Sequence, residues 1–349
     1  MKNPQILLSI LIPCWNSSGS IKAAIESVTS QLDDNFEIIA VDDASTDATW
    51  EILESLNKTN AQIKIFKNAT NLGPSVSRNF AIEASRGKYI GFLDADDYYQ
   101  SDFLKKFVKS FESCNEDILK FGMLQQNRYS NKKKKKKLTS TPFHSQNKAE
   151  IIEEAVGLEC LPVFGFVTNG FYKSSFIKAN KILFEEDLRF AEDFFFNFEM
   201  IKHCKSFKFI EEIGYCYNKG SDCSLSSIEV INYLQIYLKK INCFYRAGED
   251  LNCLNKILPN LQKLLIRTLY SAGVRNYDKY HSYNQVRAVI RETCRLPMVS
   301  SILCYKGKQS ILISFVRLPL QFGLYLPFVF FVICLAFLKR YARPLFDRL

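Results

Sequence analysis

The feature that most constrains this fold is the regular alternation of apolar runs and helical stretches in the first hundred residues. Short apolar runs predict strands at residues 7–13, 36–41, 63–66 and 88–93, and apolar residues at helical spacing predict helices at 20–31, 46–56 and 74–85. Strands joined by single helices form right-handed crossovers, and crossovers of this kind build parallel sheets. We therefore predict an α/β fold with a mostly parallel central sheet.

Polar clusters follow the predicted strands at the point where each one ends. Asn16 follows the first strand, Asp42 and Asp43 follow the second, and residues 94–97 follow the fourth. In open parallel sheets, ligands bind just outside the carboxyl ends of the strands. The sequence therefore predicts that these clusters converge on a ligand site at one edge of the sheet.

The cluster at residues 94–97 carries the clearest chemistry. Asp94, Asp96 and Asp97 place three carboxylates within four residues, and their mutual repulsion is relieved when a cation binds. Mg²⁺ and Mn²⁺ prefer oxygen ligands, usually one or two carboxylates together with substrate phosphates. From the residues alone, an acidic N-terminus for a helix near residue 101 is an alternative explanation.

Two further segments can bind a ligand, and each also has a possible structural role. Asp42 or Asp43 can accept hydrogen bonds from a base or ribose, although this segment can also cap the following helix. Pro74 suits the first turn of a helix whose N-terminal amides favour anions, and Arg78 lies one turn inside that helix. A surface salt bridge is the alternative role for Arg78.

Four segments together resemble family 2 glycosyltransferases with the GT-A fold. In order and spacing, the matching segments are SILIPCWN (residues 9–16), VDDASTD (41–47), NLGPSVSRN (71–79) and GFLDADD (91–97). The resemblance is specific over residues 7–100, weakens over 115–225 and is absent from about residue 230 onward. It implies a nucleotide-sugar donor, of which a UDP-sugar is the commonest kind in the family.

The resemblance also implies roles for individual residues. It assigns donor binding to Pro13, Asn16, Asp42, Asp43, Arg78, Asp94 and Lys219. Lys219 lies in a segment resembling the family's flexible stretch after the sheet, where an arginine is often found instead. Asp94 and Asp96 form the implied DXD pair that holds Mn²⁺ or Mg²⁺, with Asp96 as the principal ligand.

A later acidic pair matches the family's catalytic base. Glu192 and Asp193 precede a run of phenylalanines, and Ala191 stands where the family often has glycine. The resemblance implies that Asp193 takes the proton from the acceptor hydroxyl and that Glu192 orients the acceptor or the loop. An aromatic, low-dielectric setting should raise the pKa of Asp193. Without the resemblance, a capping pair on an amphipathic helix is the simpler explanation.

The remainder of the chain divides by pattern. We predict a catalytic domain at residues 1–225, made of a nucleotide-binding half (1–115) and an acceptor half (116–225). A helical extension at 226–310 and an apolar, basic tail at 311–349 are expected to follow. Residues 322–338 are strongly apolar and uncharged. They predict contact with an anionic membrane, by a span or at the surface, with a buried core helix as the alternative.

Charge and cysteine content restrict the functional class. The net charge of +10 favours anionic partners. Residues 129–146 are polar and contain the lysine run at 132–137, which predicts a mobile loop. The 11 cysteines lack paired spacing, so we expect reduced thiols and no zinc site. Acidic clusters at the predicted cleft argue against nucleic acid as a partner.

Taken together, the sequence predicts an inverting glycosyltransferase at the cytoplasmic face of the cell membrane. The expected acceptor is a glycan or lipid-linked glycan in cell-surface polysaccharide synthesis. A nucleotidyltransferase of related fold is an alternative, although residues 13–16 lack that class's glycine- and lysine-rich loop. A non-catalytic membrane-bound scaffold is a further alternative.

Overall fold

The structure is a computed structural model, and it describes residues 6–32, 34–127, 135–188, 190–219, 232–307, 311–330, 332 and 334. The chain forms two compact units, Met1–Glu229 and Val230–Leu349. The boundary predicted at 225 falls within residues 220–231, which lie outside the described residues.

The first unit is built on a ten-stranded sheet. In chain order its strands are β1 (Leu8–Cys14), β2 (Phe36–Asp42), β3 (Ile63–Lys67), β4 (Tyr89–Phe92), β5 (Tyr98–Tyr99), β6 (Ile118–Asn127), β7 (Lys135–Leu138), β8 (Phe143–Ser145), β9 (Gly170–Lys173) and β10 (Phe207–Lys219). The order across the sheet is β3-β2-β1-β4-β9-β6-β10-β5, with β7 beside β6 and β8 beside β10.

Helices connect these strands and form the whole of the second unit's regular structure within the described residues. The first unit contains α1 (Ile21–Thr29), α2 (Thr49–Thr59), α3 (Pro74–Ala84), α4 (Phe103–Val108), a 3₁₀ helix (Lys109–Glu112), α5 (Lys148–Cys160), α6 (Ser174–Asn180) and α7 (Glu192–His203). The second contains α8 (Tyr233–Asp250), α9 (Leu254–Tyr280), α10 (Tyr283–Cys294), α11 (Pro297–Cys304) and α12 (Ile311–Gln321).

The predicted parallel sheet is confirmed for the half formed by the first hundred residues. β3, β2, β1 and β4 are parallel neighbours, joined by the predicted helices. Beyond β4 the sheet is mixed, because β9 runs antiparallel to both β4 and β6, while β6 and β10 are parallel. β1 and β2 are buried along nearly their whole length, as expected for strands covered by helices on both faces.

An aromatic cluster fixes helix α7 against the end of β4. Phe92 packs edge-to-face on Phe184 and Phe196, with ring centroids 5.4 and 5.7 Å apart, and those two rings stack at 4.3 Å. Such pairs add roughly 0.5–1.5 kcal/mol each beyond their buried area. Because Phe196 lies on α7 and Phe92 ends β4, this packing brings Asp193 close to Asp94.

Two predictions about irregular segments are wrong. The loop predicted at residues 129–146 contains β7 and β8, although residues 128–134 lie outside the described part. Leu138 is buried in β7 opposite Met123, and the lysines at 135–137 are exposed, so one apolar side chain anchors a basic edge strand. Residues 214–219, expected in a flexible segment, complete β10 instead.

The second unit confirms the helical C-terminal region. Among its described residues, four large apolar side chains are more than half exposed: Phe322, Leu324, Leu326 and Phe330. Within the described part of the chain, no helix is both long and apolar enough to cross a membrane. The predicted apolar stretch 322–338 lies partly outside that part, as do residues 335–349 of the predicted tail.

Candidate active site

Hydrogen bonds connect the segments that follow β1 and β2 at the edge of the parallel sheet. Cys14 pairs with Asp42 in the last register position. Beyond it, Asn16 adopts a left-handed conformation (φ 46°), donates its backbone N–H to Ser45 Oγ at 2.9 Å, and accepts the Thr46 N–H on its side-chain oxygen at 2.8 Å. Asn16 therefore shapes the edge of the site. Pro13, at the end of β1, is half-buried beside it.

The two aspartates after β2 have different environments. Asp43 Oδ1 accepts the Leu72 N–H at 2.9 Å, and Asp43 Oδ2 accepts the Gly73 N–H at 2.7 Å. Gly73 has φ 92°, a left-handed conformation that glycine adopts without strain. Asp43 thus holds the turn that starts α3. Asp42 is fully buried, and its Oδ1 has no hydrogen-bond partner within the described chain, so of the pair Asp42 retains an unused acceptor.

Arg78 joins the carboxylate of Asp94 to those of the acidic pair Glu192 and Asp193, about a hundred residues later in the sequence. Its guanidinium lies 2.9 Å from Asp94 Oδ1 and 3.2 Å from both Glu192 Oε1 and Asp193 Oδ1. The Arg78 side chain is only 6% exposed, so these ion pairs are poorly screened by solvent. Arg78 therefore lies beneath the acidic residues as their shared counter-ion. Arg78 is therefore buried: it does not form a surface salt bridge and it is not exposed to solvent.

Asp193 lies at the N-terminus of α7 with both carboxylate oxygens contacted. Arg78 approaches Oδ1, and the Val167 N–H donates to Oδ2 at 3.2 Å. Burial raises the pKa of Asp193 to about 7, with Glu192 and Asp94 acting in the same direction and Arg78 and Val167 opposing them. This agrees with the predicted rise, and the carboxylate is suited to accept a proton near neutral pH.

The helix entry explains why glycine is expected before the acidic pair. Ala191, the residue before α7, has φ 64°, in the left-handed region that favours glycine. Here alanine adopts the strained conformation, which costs about 1–2 kcal/mol. The turn geometry that presents Glu192 and Asp193 is thus preserved despite the departure from the family pattern.

The acidic turn after β4, residues 94–97, is hydrogen-bonded to β10. Asp97 is buried and accepts hydrogen bonds from the Tyr215 hydroxyl at 2.8 Å and the Asn218 N–H at 2.7 Å. Burial, followed by repulsion from Asp94 and Asp96, raises the pKa of Asp97 well above its usual value. Asp97 does not start the next helix, because α4 begins at Phe103. The anchoring residues on β10 were missed because that strand was interpreted as a flexible segment.

The metal predicted at this turn can be tested against the donor set. Asp94 and Asp96 both remain partly exposed, whereas Asp97 is buried. The described residues contain no group of three or more side chains placed to hold a metal. Mg²⁺ and Mn²⁺ commonly bind one or two carboxylates and complete their shell with substrate phosphates and water. The two aspartates fit such an ion in combination with a diphosphate.

Lys219 follows Asn218, which bonds to Asp97 and to the Asp96 carbonyl. It is the last residue of β10 and is exposed. The segment that follows it, residues 220–231, lies outside the described part of the chain. Its contact with phosphate stays a prediction.

Comparison with known proteins gives consistent matches. The family model described as Glycosyl transferase family 2 matches residues 9–172. The uncharacterized glycosyltransferase EpsJ of Bacillus subtilis is 30% identical over 311 residues, which is 82% of this chain and 87% of EpsJ. Poly(ribitol-phosphate) beta-glucosyltransferase of Bacillus spizizenii is 28% identical over 247 residues, 70% of this chain but 36% of that protein.

A solved structure matches the fold as well. The crystal structure of S. aureus TarS 1–349 in complex with UDP-GlcNAc superposes with a TM-score of 0.65 at 21% identity, covering 85% of this chain and 83% of the TarS 1–349 chain. The matched fold, the relative that aligns along most of its length and the family model agree. This chain belongs to glycosyl transferase family 2 and is a glycosyltransferase.

Proposed function

We propose that this glycosyltransferase moves a sugar from a UDP-sugar to a hydroxyl of a glycan or lipid-linked glycan in the synthesis of a cell-surface polysaccharide. The observation that carries the proposal is the convergence of Asp94 and Asp193 on Arg78. The UDP-GlcNAc bound to TarS and the poly(ribitol-phosphate) acceptor named for the Bacillus spizizenii relative support the donor and acceptor classes.

The proposed reaction is a single displacement that inverts the anomeric carbon. The Asp193 carboxylate takes the proton of the acceptor hydroxyl while that oxygen forms the new bond to the anomeric carbon. The bond from the anomeric carbon to the diphosphate oxygen breaks, and its electron pair leaves with UDP. General base catalysis contributes about 10²- to 10⁴-fold to such a step. Glu192, next to the base, orients the acceptor.

The donor is assigned to the edge of the parallel sheet. Pro13 and Asn16 border the nucleotide, and Asp42 supplies the acceptor oxygen for its base or ribose. Asp43 contributes indirectly by holding the turn before α3. Asp94 and Asp96 would hold Mg²⁺ or Mn²⁺, which would supply positive charge opposite the leaving diphosphate. Lys219 is a further candidate for contact with the diphosphate.

A nucleotide-sugar panel tests the reaction class. We expect Mn²⁺-dependent release of UDP from UDP-glucose or UDP-N-acetylglucosamine, whereas a nucleotidyltransferase would release pyrophosphate. Asp193→Asn should lower turnover about 10²- to 10⁴-fold with donor affinity nearly unchanged. Glu199→Gln, an exposed carboxylate on the same helix, is the matched control and should retain full turnover. Wild-type turnover by Asp193→Asn would exclude it as the base.

The metal assignment has a separate binding test. Asp96→Ala should abolish the Mn²⁺-dependent part of UDP binding measured by calorimetry. The same titration without metal should give equal affinities for both proteins. If Mn²⁺ strengthened UDP binding equally in the variant and the wild-type protein, Asp96 would not be a ligand.

We also propose that the C-terminal region docks on the anionic cytoplasmic face of the cell membrane. The exposed side chains of Phe322, Leu324 and Phe330, together with the basic net charge, support this placement. Phe322→Glu with Phe330→Glu should reduce flotation with vesicles containing phosphatidylglycerol. Leu161→Glu with Leu183→Glu, two equally drastic changes at exposed positions of the first unit, should leave flotation unchanged. Equal flotation of both proteins would refute the assignment.

A further inference from the structure

Residues 161–169 form an irregular loop between α5 and β9, and much of it is buried. Val163, Phe164, Val167 and Thr168 are all at most 2% exposed. A buried segment without a helix or strand cannot satisfy its backbone groups through a regular ladder, so other donors must reach its carbonyls. Side chains from three neighbouring elements reach them: Lys120 on β6, Asn197 on α7, and Tyr172 on β9, whose hydroxyl lies 3.2 Å from the Val167 carbonyl.

The first donor is Lys120, a fully buried lysine on β6. Its ammonium lies 3.1 Å from the Phe164 carbonyl and 3.2 Å from Asn169 Oδ1, and it also donates to the Phe166 carbonyl. Lysine is rarely buried unless its charge is satisfied in this way. All three donors of the ammonium are thus directed at one loop.

The second donor is Asn197, one helical turn after Asp193 on α7. Its Nδ2 donates to the same two carbonyls, Phe164 at 2.9 Å and Phe166 at 3.0 Å. Its Oδ1 accepts the Tyr172 hydroxyl at 2.7 Å. The loop is therefore tied to the helix that carries the acidic pair.

The loop in turn contacts Asp193 directly. The Val167 N–H donates to Oδ2, the oxygen opposite the one that Arg78 approaches. Arg78 and Val167 together fix the carboxylate from two sides. Any change that lets the loop move loosens one of those two contacts.

We propose that a loop clamp, the buried side chains of Lys120, Asn169, Tyr172 and Asn197, positions Asp193 by holding the Val167 N–H against it. This proposal rests on the proposed role of Asp193 as the base. The clamp residues are positioning residues, because they act through the loop and not on the substrate. The lowered pKa of Lys120, about 7, results mainly from burial and is opposed by Asp193 and Glu159.

The clamp has an expected effect on the pH dependence of turnover. The charged and titratable groups that act on Asp193 are Arg78 from α3, Asp94 after β4, Glu192 from α7, Lys120 from β6 and Tyr172 from β9. The Val167 hydrogen bond lowers the pKa of Asp193. Loss of that bond therefore raises the pKa and moves the acid limb of the rate profile to higher pH.

The test uses Lys120→Met, which keeps an unbranched side chain one atom shorter and removes the three donors. UDP release from UDP-glucose and UDP-N-acetylglucosamine with Mn²⁺, water being the acceptor, is followed across pH. We expect kcat to fall about ten- to hundredfold with the donor KM nearly unchanged, and the acid limb to move upward. Hydrogen exchange of residues 161–169, measured by mass spectrometry, should become faster.

The matched control is Glu37→Leu. Glu37 lies on β2, and its buried carboxylate is hydrogen-bonded to Ser9, Lys64 and Arg86. This substitution should lower stability while kcat, the acid limb and exchange in residues 161–169 stay as in the wild-type protein. Should Lys120→Met not fold, Tyr172→Phe replaces it, with a smaller loss of kcat in the same direction.

The outcomes separate this proposal from the proposed function. Suppose that Asp193→Asn is inactive and that the folded clamp variant keeps the wild-type position of the acid limb in its pH–rate profile. That result would overturn the clamp alone, whether or not kcat falls. Full activity of Asp193→Asn would overturn the base assignment and the clamp with it. A fall in kcat with an upward shift of the acid limb and faster hydrogen exchange in residues 161–169 supports the clamp. An upward shift without faster exchange would reflect only the lost charge of Lys120 and would overturn the clamp.

Discussion

Removal of the Arg78 charge should disable catalysis at neutral pH by raising the pKa of Asp193. Arg78 is 6% exposed and Asp193 is 17% exposed, so solvent screens their interaction weakly. Their nearest atoms are 3.2 Å apart. With charge centres about 4 Å apart and an effective dielectric constant near 20, the attraction is about 4 kcal/mol, or roughly three pKa units. Arg78→Met should therefore shift the pKa of Asp193 from about 7 to roughly 10.

The assay is the rate of UDP release as a function of pH. Asp193 must be ionised to act as the base, so a higher pKa moves the acid limb of kcat upward and activity returns only at alkaline pH. Arg86→Met is the matched control, because it removes an arginine paired with a buried glutamate, Glu37, elsewhere in the same unit. An acid limb in Arg78→Met that coincides with that of Arg86→Met would refute the electrostatic reasoning.

Three further predictions concern stability. Ala191→Gly should stabilise the protein by about 1 kcal/mol in urea unfolding, since glycine relieves the left-handed conformation; a loss of stability would contradict this. Asp97→Ala should destabilise it by about 2–3 kcal/mol in the same assay, because the buried Tyr215 hydroxyl loses its acceptor. An unchanged unfolding midpoint would count against the contribution of this hydrogen bond. The folded-state pKa of Asp193 is raised from 3.8 to about 7, so stability falls as pH rises through that window. Asp193→Asn should therefore raise the melting temperature at pH 8 but scarcely at pH 4, and equal shifts would exclude this linkage.

The parallel half of the sheet could be predicted because its signals are local. The apolar runs that become β1, β2 and β4 are bounded by polar residues, and the helices between them show a buried face at helical spacing. β9 and β7 gave no comparable signal. Each has only four residues, and β7 consists of three lysines and one buried leucine. β9 pairs with β4, a strand distant in the sequence, whereas β7 pairs with the preceding strand β6 but has one apolar residue to mark it.

The candidate site was predicted only in part for the same reason. Asp94 and Asp193 were identified as functional residues, and the structure places both against Arg78. The central position of Arg78 was not foreseen, because its partners on α7 are 114 and 115 residues away. Lys120 was overlooked because a lysine within an apolar strand gives no indication of the carbonyls that will surround it.

The sequence by itself determined where strands and helices form and which residues stand at the strand ends, because hydrophobic periodicity and turn chemistry are local properties. The tertiary structure decided which of those residues meet. Phe196 packs on Phe92, which places the start of α7 near the end of β4. Burial there raises the pKa of Asp193, and the same arrangement brings three carboxylates to Arg78. A pKa depends on every charge and every layer of protein around the group, so the chain must be folded before it is fixed.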